Sequence, residues 1–214
     1  SFFPEFAMMP WAAKRLGRPV KWTADRSEAF LSDYQGRDLH VEAELALDRD
    51  GNFIAMRGSN VSNIGAHTVS VVPLTKGVEI MCGPYRIPAI YFRARGVHSN
   101  TPPTNPYRSA GRPEVIFVME RMVDLAAREC GFDPIELRRR NMIKPDEMPY
   151  DNKLGMTYDS GTYEAAMDQC FGISDLDGFA ARKADSAKRS LKRGLGISAY
   201  METSTGAPRE RTEM

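Results

Sequence analysis

The sequence predicts an α+β fold: a mixed sheet with antiparallel hairpins early in the chain and packed helices late. Three observations point there. Apolar residues alternate from Leu39 to Leu47, and a turn-forming Arg49-Asp50-Gly51-Asn52 follows directly, which is how a hairpin reads. Apolar residues recur at helical spacing from Pro113 to Glu129, with Ile116, Met119, Val123 and Ala127 on one stripe. Strand patterns crowd the first half of the chain and helix patterns the second, an order typical of α+β proteins. With 214 residues, the chain can form one large domain or two small ones around a real core.

Taken in order, Pro4 to Leu16 sets Phe6, Met9, Trp11, Ala12 and Leu16 in a helical pattern that fades into Gly17-Arg18-Pro19. Val20-Lys21-Trp22 reads as a short strand, and Asp25 can cap a short helix from Arg26 to Leu31. In the Leu39 to Leu47 strand, Val41, Ala43, Leu45 and Leu47 share a face; after the turn, Phe53 to Val61 returns as the next strand. Gly65 breaks that strand within Asn63-Ile64-Gly65-Ala66-His67, Ser70 to Met81 reads as a loop and a short helix, and Ile87 to Val97 as another strand. The long helix from Pro113 stops at Gly131. Pro134 to Asn141 is a second helix, Met148 to Gly161 a long loop, Tyr163 to Cys170 a third helix, and Leu176 to Ser190 a charged fourth. Gly194 to Met201 reads as a final strand.

Charge and cysteine usage exclude several function classes. Against 29 Lys plus Arg stand 28 Asp plus Glu, a net +1, so no field draws the chain to nucleic acid or an anionic membrane. The basic stretch from Arg182 to Arg193 is interrupted by Asp185 and alanines and reads as a solvated helix face. Cys82, Cys130 and Cys170 are far apart and odd in number, with no C-x-x-C spacing, which argues against a disulfide framework, an iron-sulfur cluster or a structural zinc. Charges interrupt every longer apolar stretch, and no basic segment leads into a cleavable apolar core. A cytoplasmic protein with neither nucleic-acid nor membrane partners is expected. Ser1-Phe2-Phe3-Pro4 enters a helix with no initiator Met, and Pro208 to Met214 stops at a charged turn, so both ends read as cuts through a longer polypeptide.

The loop from Thr101 to Arg112 concentrates prolines, Gly111 and the two arginines Arg108 and Arg112, and opens directly into the long helix. Proline narrows φ and removes donors, so such a loop can hold one geometry without regular structure. A tight turn on a helix N-terminus suits an anion or a large polar cofactor, with arginine forks and the N–H groups of residues 108 to 111 as donors. On the residues alone, a proline-rich connection whose arginines are tied to nearby carboxylates is the preferred reading of the loop.

The order Tyr107-Arg108-Ser109-Ala110-Gly111-Arg112-Pro113-Glu114, with Asp133-Pro134-Ile135-Glu136-Leu137-Arg138 one helix later, resembles the large subunit of molybdenum hydroxylases. That family includes xanthine dehydrogenases, aldehyde oxidoreductases and carbon monoxide dehydrogenases. The resemblance continues in Leu16-Gly17-Arg18-Pro19-Val20-Lys21-Trp22 with Arg26-Ser27-Glu28, in Asp50-Gly51-Asn52-Phe53 with Asn63-Ile64-Gly65-Ala66-His67, and in Gly83-Pro84-Tyr85-Arg86-Ile87-Pro88. Together these strings run through most of the chain in the family's order.

The resemblance implies a molybdenum-molybdopterin cofactor, as the plain pterin or its cytosine dinucleotide, held by the pterin dithiolene with no direct side-chain ligand from the protein. It places Tyr107, Arg108, Ser109, Ala110 and Gly111 at the cofactor, with Ser109 facing the metal's reactive ligand and Ala110 against the substrate. Ser109, Ala110 and Lys76 would form the substrate pocket. The family's carbon monoxide oxidation needs a cysteine thiolate for copper where Ser109 stands, and its purine oxidation a large aromatic where Ala110 stands, so neither substrate is expected. Lys76 falls where purine-oxidising relatives carry an orienting arginine, or is simply a solvated loop residue. His67 and His98 read as structural donors, and Glu120 with Asp124 as a like-charged surface pair.

The resemblance further implies what this stretch lacks. The family's Gly-Gly-x-Phe-Gly loop would precede Ser1, and its general-base glutamate, in a Gly-x-Gly-Glu context, would follow Met214; no catalytic residue is assigned within the chain. Residues 1–193 would be the first part of the molybdenum cofactor-binding domain and 194–214 the start of the second cofactor-binding subdomain. The parent would oxidise an aldehyde or N-heterocycle with water as oxygen source, and would work with iron-sulfur and FAD subunits or domains in a dimer of heterotrimers. The piece alone is expected to be inactive and without cofactor. The competing reading is a non-catalytic scaffold or subunit-interaction module in which Arg108 and Arg112 only brace the loop.

Overall fold

The computed structural model describes residues 3–202. Its sheet begins as the alternation predicts: β1 (Leu39–Leu47) is half-buried and exposed in strict turn along its length. The reversal at Asp48 to Asn52 is held locally, because Asp48 accepts from the backbone N–H of Asp50 and Asn52 and from the Asn52 side chain. β2 (Phe53–Gly65) returns antiparallel to β1 and runs past the expected end at Val61 as far as Gly65. β3 (Ala89–His98) adds parallel to β2, so the sheet is mixed, in the order β1-β2-β3. A parallel neighbour requires a crossover, and residues 66–88 supply it. The expected loop and short helix there become two short pieces, α3 (Val72–Thr75) and a single 3-10 turn at Val78–Ile80.

Helices α1 (Glu5–Leu16) and α2 (Arg26–Ser32) precede the sheet, and Asp25 caps α2 by accepting from Glu28 N–H at 2.7 Å. Neither buries a residue. Val20 to Trp22, expected as a strand, belongs to no regular element and has no ladder partner among the described residues. After β3 comes the longest helix, α4 (Arg112–Cys130), whose stripe of Ile116, Met119, Val123 and Ala127 is buried as its spacing requires. Gly131 ends it at φ 78°, the left-handed value that favours glycine.

The core lies between α4 and the sheet and extends under α5 (Pro134–Asn141), joining Phe53 and Met56 to Val115, Met119 and Leu137. Asn141 locks α5 to the hairpin turn by accepting from Phe53 N–H at 2.7 Å and donating to Gly51 O at 2.9 Å. The expected long loop from Met148 contains a small antiparallel ladder, β4 (Tyr150–Asp151) with β5 (Thr157–Tyr158). Helices α6 (Tyr163–Ser174) and α7 (Phe179–Lys188) follow.

Two expectations fail for the same physical reason. Gly194 to Met201 is not a strand: no neighbouring strand offers a ladder among the described residues, and the segment instead runs over α5, where Ile197 O accepts from Arg138. Glu120 is not on the surface. Its carboxylate accepts from Tyr85 Oη at 2.6 Å and from Arg138 Nε at 2.9 Å, while Asp124 accepts from Arg138 Nη2 at 2.8 Å. The i, i+4 carboxylates therefore share one buried guanidinium rather than repel across solvent. Burial works against the Arg138 charge, but Glu120, Tyr85 and Asp124 hold it and its pKa is raised on balance.

Candidate cofactor-facing site

The site is built where β3 hands over to α4. The loop leaving β3 is anchored first by Asn63, whose side-chain oxygen accepts from Ser99 Oγ and Gly65 N–H, both at 2.8 Å, and whose amide donates to Thr101 Oγ1 at 2.9 Å. Gly65 is needed there. At φ 78° a Cβ would lie 2.3 Å from Pro103 Cα, closer than any side chain permits. His98 contacts Gly65 O through Nδ1 at 3.0 Å, consistent with a structural role, and His67 is exposed.

The chain before β1 then runs alongside the loop. Gln35 N–H donates to Pro103 O at 3.0 Å, and Asn105 N–H returns to Gln35 O at 2.8 Å, a short parallel bridge that fixes the register of the two segments. Two residues on, Arg37 reaches the next carbonyls: its Nη2 donates to Tyr107 O at 2.7 Å and to Arg108 O at 2.5 Å. The same guanidinium lies 5.6 Å from the Tyr107 ring centre and pairs through Nε with Glu114 in the first turn of α4.

Beyond that grip the backbone turns sharply. Ser109 takes φ 55° and Gly111 φ 86°, and Arg112 N–H closes the turn on Ser109 O at 2.9 Å. A left-handed serine is uncommon, and here it lies between the Arg37 grip and a helix start. At Gly111 a Cβ would meet Pro73 O at 2.7 Å and Gly77 N at 2.8 Å, so the crossover packs backbone to backbone against the turn. Lys76 is thereby brought next to the turn, but its ammonium is held by Glu79 at 3.1 and 3.2 Å.

The other side of the turn is closed by Glu202. Its carboxylate accepts from Ser109 Oγ at 2.7 Å and Tyr200 Oη at 3.0 Å, and pairs with Arg112 Nη1 at 2.6 Å. Sequence reasoning missed both Arg37 and Glu202. The structure divides the two arginines singled out in advance: Arg112 braces the turn, while Arg108 is exposed. Tyr107 is exposed at 59%, Ser109 is half-buried, and Ala110 is buried at 7%.

An oxygen-rich anionic cofactor fits this donor set. Among the described residues, the N–H groups of Arg108, Ser109, Ala110 and Gly111 have no acceptor, although Ala110 and Gly111 are buried residues. Backbone donors in such positions are normally paired, and an added ligand would pair them. Of the free cysteines, Cys130 and Cys170 are exposed and Cys82 is buried. Burial pushes the Cys82 thiol up to about 11, against the opposing contact with Tyr158 Oη at 3.3 Å, which favours its protonated form. Among the described residues no group of His, Cys, Asp and Glu could hold a metal ion, and no helix is long and apolar enough to cross a membrane.

The chain thus combines a mixed sheet, a glycine-dependent turn on a helix N-terminus and a run of open backbone donors. It belongs to the molybdopterin cofactor-binding domain family, whose model matches residues 1–142. The 6-hydroxypseudooxynicotine dehydrogenase complex subunit gamma of Paenarthrobacter nicotinovorans is 32% identical over 94% of this chain and 26% of its own length. The carbon monoxide dehydrogenase large chain of Hydrogenophaga pseudoflava is 33% identical over 96% of this chain and 27% of its own. In structure, the chain resembles quinoline 2-oxidoreductase from Pseudomonas putida 86, with a TM-score of 0.78 and 31% identity over 87% of this chain and 24% of that one. The chain thus spans about a quarter of the length of these relatives. Their names mark the first two as subunits of larger complexes.

Proposed function

We propose that this chain is the part of a molybdenum hydroxylase large subunit that supplies the turn beside the metal, and that the whole subunit oxidises an aldehyde or an N-heterocycle with water as oxygen source. The observation that carries this reading is the turn itself, with successive N–H donors open on one side and braced on the other. When bound, the molybdenum cofactor would supply the oxidising centre. The chain's own residues orient it. Arg108 and the N–H groups of residues 108 to 111 would donate to it, Ser109 would lie beside it with its hydroxyl held by Glu202, and Ala110 would leave room for substrate, with Tyr107 and Lys76 at the margins.

Ser109 and Ala110 support the substrate class. A serine hydroxyl is a poor ligand for soft copper(I), which argues against carbon monoxide despite the carbon monoxide dehydrogenase relatives. Alanine offers no ring to stack on a purine. The names nicotine 6-hydroxylase and quinoline 2-oxidoreductase among the relatives, both referring to N-heterocycles, support the same direction. Proton abstraction is assigned to no residue of this chain. In the same reading, residues 1–193 form the first part of the cofactor domain and 194–214 open the next, the pterin is plain or carries a cytosine dinucleotide, and iron-sulfur and FAD partners accept the electrons in a cytoplasmic dimer of heterotrimers.

The test is molybdenum analysis of the full-length subunit together with dye reduction driven by aldehydes and N-heterocycles. A metal-free, inert subunit overturns the reading. Arg108→Ala is expected to lower turnover of the loaded enzyme; unchanged metal content and turnover would favour the scaffold instead.

A further inference from the structure

We infer that Arg37 is the positioning residue of this site: one guanidinium amine holds two successive carbonyls, and thereby aims the N–H groups of Arg108 and Ser109 at the bound ligand. The inference rests on the molybdopterin reading of the turn proposed above.

The geometry follows from the peptide unit. In a trans peptide the C=O and the N–H of the next residue point in opposite directions across one rigid plane. Arg37 Nη2 has two hydrogens, and its two acceptors are Tyr107 O and Arg108 O, at 2.7 and 2.5 Å. The N–H groups on the far side of those two planes belong to Arg108 and Ser109. They must point away from the guanidinium, and among the described residues they meet no acceptor. Arg37 thus fixes the direction of both donors without touching what they bind.

Arg37 is itself fixed. The bridge through Gln35, Pro103 and Asn105 sets its place along the loop, and its Nε faces the half-closed Glu114 carboxylate. Glu114 has no hydrogen-bond donor to either oxygen among the described residues, so Arg37 is the charge that offsets its burial. Glu114 begins the helix whose N-terminus follows the turn, and the same contact therefore ties the donors to α4. Lysine could replace the charge but not the fork, since an ammonium cannot hold the carbonyl pair and the carboxylate in one rigid geometry.

The experiment compares wild type, Arg37→Lys and Glu114→Gln in the full-length holoenzyme, by hydrogen exchange with and without cofactor and by the electron paramagnetic resonance of Mo(V). In wild type, loading the cofactor is expected to protect the amides of residues 107–111. In Arg37→Lys that protection falls by about tenfold or more while α4 keeps its own, and the Mo(V) spectrum shifts. Glu114→Gln keeps the carbonyl contacts, so a lower melting temperature with the wild-type spectrum is expected. Wild-type protection retained in Arg37→Lys overturns the inference alone, as does an equal loss throughout α4, which would mark a general folding role, or a spectral shift in Glu114→Gln as large as in Arg37→Lys. A molybdenum-loaded wild type with no protection of the turn overturns the functional reading, and the inference with it.

Discussion

Gly77 and Gly111 meet backbone to backbone, and at this contact a single methyl decides whether the turn can sit on the crossover. A Cβ on Gly77 would lie 2.1 Å from Gly111 O, and the obstacle is a carbonyl that cannot rotate away. Gly131 is a useful contrast, because its φ of 78° is equally demanding while nothing lies within 4 Å of its missing Cβ. Gly131→Ala should therefore cost only the left-handed strain, about 1–2 kcal/mol. Gly77→Ala should cost about 3 kcal/mol, because packed backbone must separate. Denaturant midpoints of the two variants check this, and equal losses would show that the contact is not close in solution. The turn was legible in the sequence because Tyr107 to Gly111 are contiguous and lead into a helix. The residues that brace them were not: Arg37 and Glu202 reach the turn from 70 and 93 residues away, as lone charges in stretches with no periodicity to mark them.

α4 and α5 are held together by a charge as much as by packing. Arg138 is fully buried, and besides Glu120 and Asp124 its guanidinium reaches Pro134 O, Glu120 O and Ile197 O. Arg138→Met would leave Glu120 buried, with Tyr85 as its remaining hydrogen-bond donor among the described residues. A stranded buried charge typically costs about 3–5 kcal/mol. Adding Glu120→Leu removes that charge, so the double variant should recover most of the loss; a double variant no more stable than Arg138→Met would show that the carbonyl contacts, not the ion pair, hold the helices. This cluster also shows where element-scale reading ends. The helices at 112–130 and 134–141 were legible because caps, glycine stops and apolar spacing are local, as was β1 from its alternation. Whether Glu120 faces solvent depends on Arg138, a helix away, and whether Gly194 to Met201 is a strand depends on a neighbour to pair with. Neither condition is written in the segment itself.

At the scale of the whole chain, apolar surface is unevenly placed. The core gathers around α4 and α5, yet α1 buries nothing and leaves Phe6 and Trp11 each 63% exposed and Leu16 58% exposed. The spacing that makes α1 read as amphipathic gives it a face that the described chain does not cover. Phe30 and Leu31 on α2 and Ile173 on α6 add to the exposed apolar area. Large apolar side chains exposed in this number suit a surface with a partner, and the relatives are about four times as long, so they contain further chain against which such a face could pack. The consequence can be separated from ordinary destabilisation. In this chain alone, the double substitution Trp11→Ser and Leu16→Ser should shift unfolding stability by less than about 0.5 kcal/mol, since both side chains are mostly exposed. It should also weaken any concentration-dependent self-association seen by sedimentation. In the full-length subunit the same change should cost about 3 kcal/mol or more, because two large apolar side chains would lose burial there. Equal losses in both would mean that α1 already packs on the core of this chain, and that its apolar face has no further partner to find.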